Sequence, residues 1–98
     1  MEVFDPRTVY PFDWQGLAAS LEKTGRLVVF DDTNRSCGLG GEIVATAVEE
    51  MRLLTAPKRV TRPDGAVVIG WEVELDRPAQ PSREQLATAV QEVFKRGQ

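Results

Sequence analysis

The stretch that most constrains this chain is residues 25–42, GRLVVFDDTNRSCGLGGE. Leu27, Val28, Val29 and Phe30 form a continuous apolar run rather than an alternating one. A run of that kind fits a central parallel strand covered on both faces. A polar loop follows, from Asp31 to Arg35, and then the glycines Gly38, Gly40 and Gly41. Beyond them Ile43, Val44, Ala47, Val48 and Met51 recur at helical spacing and mark an inward face. Thr55-Ala56-Pro57 breaks that helix, and residues 58–61 read as the next strand. Parallel strands need a crossover connection, usually a helix, so the stretch predicts a strand–helix–strand unit.

The flanking sequence extends the same alternation. Residues 2–5, with Val3 and Phe4 apolar, are a short strand candidate. Pro6 and Pro11 interrupt the connection that follows. Asp13 suits a helix N-cap, and Trp14, Leu17, Ala18 and Leu21 mark the apolar face of that helix. Gly25 suits the left-handed position at its end. Arg62-Pro63-Asp64-Gly65 reads as a turn. In residues 66–75 Trp71, Val73 and Leu75 alternate with Glu72 and Glu74, as in an edge strand with one wet face. Ser82 and Gln85 fit a capping box opening a last helix, whose stripe is Leu86, Ala89, Val90, Val93 and Phe94. Residues 1–98 are expected to form one α/β domain in three layers, α/β/α, around a mostly parallel sheet.

Composition removes several functions. The chain has 98 residues, a net charge of -3 and no histidine. The acidic balance argues against a nucleic-acid partner, which needs a surplus of cations on one face. No apolar run approaches the roughly 20 residues that span a bilayer. Without histidine, a Ser/His or Cys/His nucleophile pair is impossible within these residues, as is a zinc site of the usual Cys/His type. Cys37 stands alone, so a reducing, cytoplasmic setting is the simplest expectation.

The residues left with chemistry to offer are few. Gly38, Gly40 and Gly41 lie at a helix start, where free amides converge and an anion or nucleotide could sit; a tight, closely packed turn is the plainer reading. Asp31 and Asp32 could hold a hard cation, but only Thr33 and Asn34 are near to complete a ligand set. Lys58, Arg59 and Arg62 form a small basic cluster and Glu72, Glu74 and Asp76 an acidic one, each plainly read as solvated surface. Cys37 reads as a passive thiol. Trp71 becomes an interface anchor if it lies on uncovered surface.

Taken in order, several short motifs resemble one known family. They are Asp5-x-Arg7-Thr8 with Pro11-x-Asp13, Gly25-Arg26-Leu27-Val28-Val29, Gly38-Leu39-Gly40-Gly41-Glu42-Ile43, Ala56-Pro57 with Arg59-Val60-Thr61, Pro63-Asp64, and Pro81-Ser82. They resemble the C-terminal domain of the transketolase-like, thiamine-diphosphate-dependent enzymes, most nearly the β subunit of the 2-oxoacid dehydrogenase decarboxylase. The resemblance implies a domain without catalytic groups or a bound cofactor, with thiamine diphosphate and magnesium carried on other domains of the parent enzyme. It implies a role in holding subunits together and docking the acyltransferase core. Contact residues on that reading are Arg35, Trp71, Glu72, Phe94, Lys95 and Arg96. The family also has a strand and helix before the position of Glu2, and its segment after Asp64 differs. A domain lacking that strand and helix would have a bare sheet edge. Self-association, or cover by residues 66–75, is the expected consequence.

Overall fold

The computed structural model describes residues 1–64 and 80–96. Its elements are α1 (Trp14–Thr24), β1 (Val28–Asn34), α2 (Leu39–Glu50), β2 (Lys58–Arg62) and α3 (Arg83–Arg96). The caps explain where the helices begin and end. Asp13 accepts a hydrogen bond from the Gly16 N–H at 3.0 Å, which opens α1. Gly25 closes it at φ 71°, with its N–H donating to the Leu21 carbonyl at 2.7 Å. At α3 the capping box is complete: the Ser82 N–H donates to Gln85 Oε1 at 2.9 Å and the Gln85 N–H to Ser82 Oγ at 3.1 Å.

β1 and β2 pair in parallel across α2, as the strand–helix–strand pattern requires. Val28 lies beside Lys58, Val29 beside Arg59 and Phe30 beside Val60; the register then shifts before Asn34 meets Arg62. The main core joins Leu17 and Leu21 of α1, Leu27 and Val29, and Ile43 and Ala47 of α2. Phe4, Phe12 and Trp14 pack against its margin, with the Phe12 and Trp14 rings 4.2 Å apart. Val60 is one residue out of step with the Val29–Arg59 pair, so it faces the other side of the sheet. Ala89 and Val93 are buried on α3, which packs against both strands. Helices thus cover both faces of a parallel pair, the α/β layering expected of the sequence.

Four local expectations change. Residues 2–5 form no strand; among the described residues they have no strand beside them, because a groove separates them from β1. β1 runs on through Asp31, Asp32 and Thr33 to Asn34, so most of the expected polar loop is strand, held by the ladder to β2. Gly40 and Gly41 lie in the first turn of α2 rather than in a turn before it. Val48 and Phe94 are both 58% exposed. On α2, Ile43 and Ala47 make the i, i+4 line that meets the strands, and Val48 sits about 100° further round. Phe94 instead lies beneath the Arg26 guanidinium, 5.8 Å from its ring centre. The edge-strand expectation for residues 66–75 lies outside the described residues.

Candidate functional site

Ligands of open α/β sheets bind outside the carboxyl ends of the strands. That end of this sheet is built from Asp31 to Ser36, Arg59 to Asp64 and the start of α2. Most of its polar groups find partners within the chain. Asp31 Oδ2 accepts from the Gly40 N–H at 2.8 Å and from Thr33 Oγ1 at 2.5 Å. Gly38, at the N-cap of α2, has no side chain to offer, so a strand carboxylate caps the helix instead. Gly40 packs closely there: a Cβ would stand 3.3 Å from Asp31 Oδ2, a tight contact with the capping carboxylate, and 3.6 Å from Val29 Cγ1, an ordinary one. Asp32 takes Arg62 Nε at 2.5 Å. The Ser36 N–H and hydroxyl both donate to Asp64, at 2.7 and 2.5 Å. Those two bonds, the hydroxyl's first, hold the Asp64 carboxyl below its ordinary pKa against an opposing desolvation, and the charges of Arg35 and then Arg59 add in the same direction as the bonds. Arg59 Nη1 donates to the Arg35 carbonyl at 2.6 Å.

Two concavities flank the sheet. A cleft of about 570 Å³ runs between β2 and α3, lined by Arg35, by β2 and by Gln85, Thr88 and Ala89. A groove of about 210 Å³ follows β1 from Leu27 to Asp31, with Glu2, Phe4 and Pro6 on its far wall and Leu17 and Leu21 among its lining. Phe30, which lines it, is 49% exposed.

The predicted site residues scatter across this surface. Arg35 is exposed beside the cleft. Phe94, Lys95 and Arg96 are exposed at the end of α3, Arg96 donating to the Ala56 carbonyl at 3.2 Å and lying 3.9 Å from Glu92. Trp71 and Glu72 lie outside the described residues, as do Glu74 and Asp76. The amides of the Gly38–Gly41 turn, read as an anion site, are partly taken: the chain's own Asp31 carboxylate occupies Gly40, and Gly41 donates to the Gly38 carbonyl. Cys37 is exposed at φ 60°. The clamps Ser36–Asp64, Arg59–Arg35 and Arg62–Asp32 escaped the sequence because their partners are 24 to 30 residues apart. A cap supplied by a strand rather than by the preceding residue is equally invisible to local patterns.

These features define an α/β domain whose carboxyl end is tied together by its own side chains and whose β1 edge carries an apolar groove. The transketolase C-terminal domain family matches residues 1–86, and the chain belongs to that family. It is 42% identical over 64 residues to the acetoin:2,6-dichlorophenolindophenol oxidoreductase subunit beta of Bacillus subtilis, covering 63% of this chain and 19% of that one. It is 47% identical over 58 residues to the pyruvate dehydrogenase E1 component subunit beta of Staphylococcus epidermidis, covering 58% of this chain and 18% of the relative. With the corresponding Mycoplasma pneumoniae subunit it shares 36% over 75 residues, 74% of this chain and 20% of the other. The chain thus spans about a fifth of the length of these relatives. No solved structure matches it significantly.

The acids at the carboxyl end of β1 are engaged within the chain. Asp31 is engaged by Gly40 and Thr33, and Asp32 by Arg62. No group of three or more potential metal ligands occurs among the described residues. Nor, among them, is any helix long and apolar enough to cross a membrane.

Proposed function

We propose that this chain serves as a non-catalytic contact domain of a thiamine-diphosphate-dependent 2-oxoacid or acetoin dehydrogenase, in the position of the matching segment of its relatives' β subunits. The observation that carries this reading is the family match over residues 1–86, joined to relatives named as dehydrogenase β subunits. On this reading decarboxylation takes place on other domains, where thiamine diphosphate and magnesium are held. The chain's partners are other subunits of the complex, the acyltransferase core among them. Contact runs through the β1 groove and the exposed rings of Phe30 and Phe94, since apolar surface of this kind marks protein interfaces. Self-association through the same surface is the second reading, favoured by the absence of a strand on that edge of β1 among the described residues.

The test is co-purification of the tagged chain from its native host, with mass spectrometry of what is retained and light scattering of the chain alone. A dehydrogenase subunit retained by the wild type and lost with Phe30→Ser is the expected result. Concentration-dependent dimers without such a subunit would favour self-association. A stable monomer that retains no dehydrogenase subunit, or saturable binding of thiamine diphosphate to the chain alone, would refute the assignment.

A further inference from the structure

Two guanidinium groups at the carboxyl end of the sheet form no ion pair among the described residues. Arg62 is paired with Asp32, Arg96 with Glu92, and Lys58 with Glu92 at 3.1 Å. No described carboxylate forms an ion pair with Arg35 or Arg59. The nearby acids are engaged elsewhere: both oxygens of Asp64 accept from Ser36, Asp32 is held by Arg62, and Asp31 caps α2. Asp64 therefore feels the two arginines through space without pairing with either of them. Glu84, on the α3 wall of the cleft, is the remaining acid in its lining besides Glu92.

Arg59 is in an electrostatically poor position for an uncompensated cation. It is half-buried, and its Nη1 is fixed on the Arg35 carbonyl. The same nitrogen lies 3.4 Å from where a Cβ on Gly41 would stand, in the first turn of α2. The positive end of a helix dipole opposes a cation there and favours an anion. The remaining donors of Arg59 stay open to the cleft, where a carboxylate can accept from them in place of water. Arg35 cannot drift far from Arg59, because its N–H is bound to the Arg62 carbonyl at 3.0 Å. Both arginines line the cleft between β2 and α3. Val60 and Ala89 supply apolar lining to that cleft, and Gln85 and Thr88 supply polar groups. At about 570 Å³ it has room for more than an inorganic ion.

We propose that this cleft binds a small organic acid, its carboxylate held by Arg35 and Arg59, whose planar forks match carboxylate geometry. Binding here is independent of subunit contact, since a domain that assembles with nothing can still take up the acid. Citrate and malonate are the probes, titrated into the whole chain at constant ionic strength with chloride as the balancing ion. Backbone amide shifts at Arg35, Ser36 and Arg59 to Arg62 should saturate, with a dissociation constant on the order of millimolar. Arg35→Ala, which removes a side chain with no described hydrogen bond, should weaken binding about tenfold. Arg59→Lys keeps the charge and loses the fork, and should weaken it by several-fold. Arg7→Ala, the same charge change away from the cleft, should leave affinity unchanged. Shifts that rise linearly without saturating, or equal affinity in Arg35→Ala, would overturn the assignment. Inorganic phosphate binding as tightly as citrate would overturn the choice of an organic acid.

Discussion

The carboxyl end of β1 and its groove-side edge behave differently. At the carboxyl end of β1, the chain's own groups answer nearly every polar demand: Asp31 caps α2, Asp32 holds Arg62, and Ser36 is clamped by Asp64. Along its groove-side edge the demand is apolar and unanswered by the described residues. Phe30, which lines the groove, is half exposed there. Polar groups buried or ordered in a fold must be satisfied at once, or the fold does not hold. Apolar surface can remain open until another molecule covers it. The finished end therefore reports how the domain holds itself together, and on the proposed reading the open edge is where another polypeptide would add to it.

The largest expected effect tests whether the groove is a formed surface or merely loose packing. Leu21 lines the groove yet is only 3% exposed, because it also belongs to the main core. Leu21→Ala should cost about 2–5 kcal/mol in denaturant unfolding, the usual range for truncating a buried leucine. A loss below about 1 kcal/mol would mean that the α1 wall yields easily. The contrast between a tied end and a shaped edge would then disappear.

Next in size comes the cap that joins β1 to α2. Asp31→Ala removes the acceptor of the Gly40 N–H and of the Thr33 hydroxyl. N-cap losses cost about 0.5–2 kcal/mol, and the part-buried setting places this one toward the upper half of that range. Asp31→Asn keeps an acceptor and should recover about half of the loss. If Asp31→Ala were neutral, the carboxyl end would not be held by its hydrogen bonds, and its amides would be open to an anion after all.

The strand–helix–strand unit was legible because its signals are local: the apolar run at residues 27–30, the helical spacing from Ile43 to Ala47, and Pro57 between helix and strand. Asp13, Gly25 and the Ser82–Gln85 box were legible for the same reason, since each acts on residues within one turn. The strand expected at residues 2–5 was not realised among the described residues, although Val3 and Phe4 have the right character. A strand is defined by its neighbour, and sequence shows propensity without showing the neighbour. The candidate site was less legible than the fold. Arg35 was named for its type, but its relation to Arg59 depends on a hydrogen bond from β2 to the loop that follows β1. Asp31 was read as loop or cation ligand, and only the packing of Gly40 against β1 shows it to be a cap.

The smallest effect is one of pH, and it bears on the same tied end. Asp64 is exposed, so the contribution is modest, but its direction is fixed. Its carboxyl sits below its ordinary value of 3.8 because the Ser36 hydroxyl and then the Ser36 N–H donate to its charged form. A group whose folded pKa is depressed adds stability above its unfolded pKa and loses it as pH falls through the folded one. Stability from this clamp should therefore be complete near neutrality and fade below about pH 4. Asp64→Asn removes the titrating group, so the acid limb of the unfolding curve should flatten relative to wild type, while Ser36→Ala shortens the same limb from the other partner. Thermal melts of the three proteins at neutral pH and at a series of lower values check this. An acid limb identical in all three would mean that the Ser36–Asp64 clamp adds no pH-dependent stability, and the tie between the β1 and β2 ends would then rest on Arg62–Asp32, on Arg59 and on the backbone bond from Arg35 to the Arg62 carbonyl.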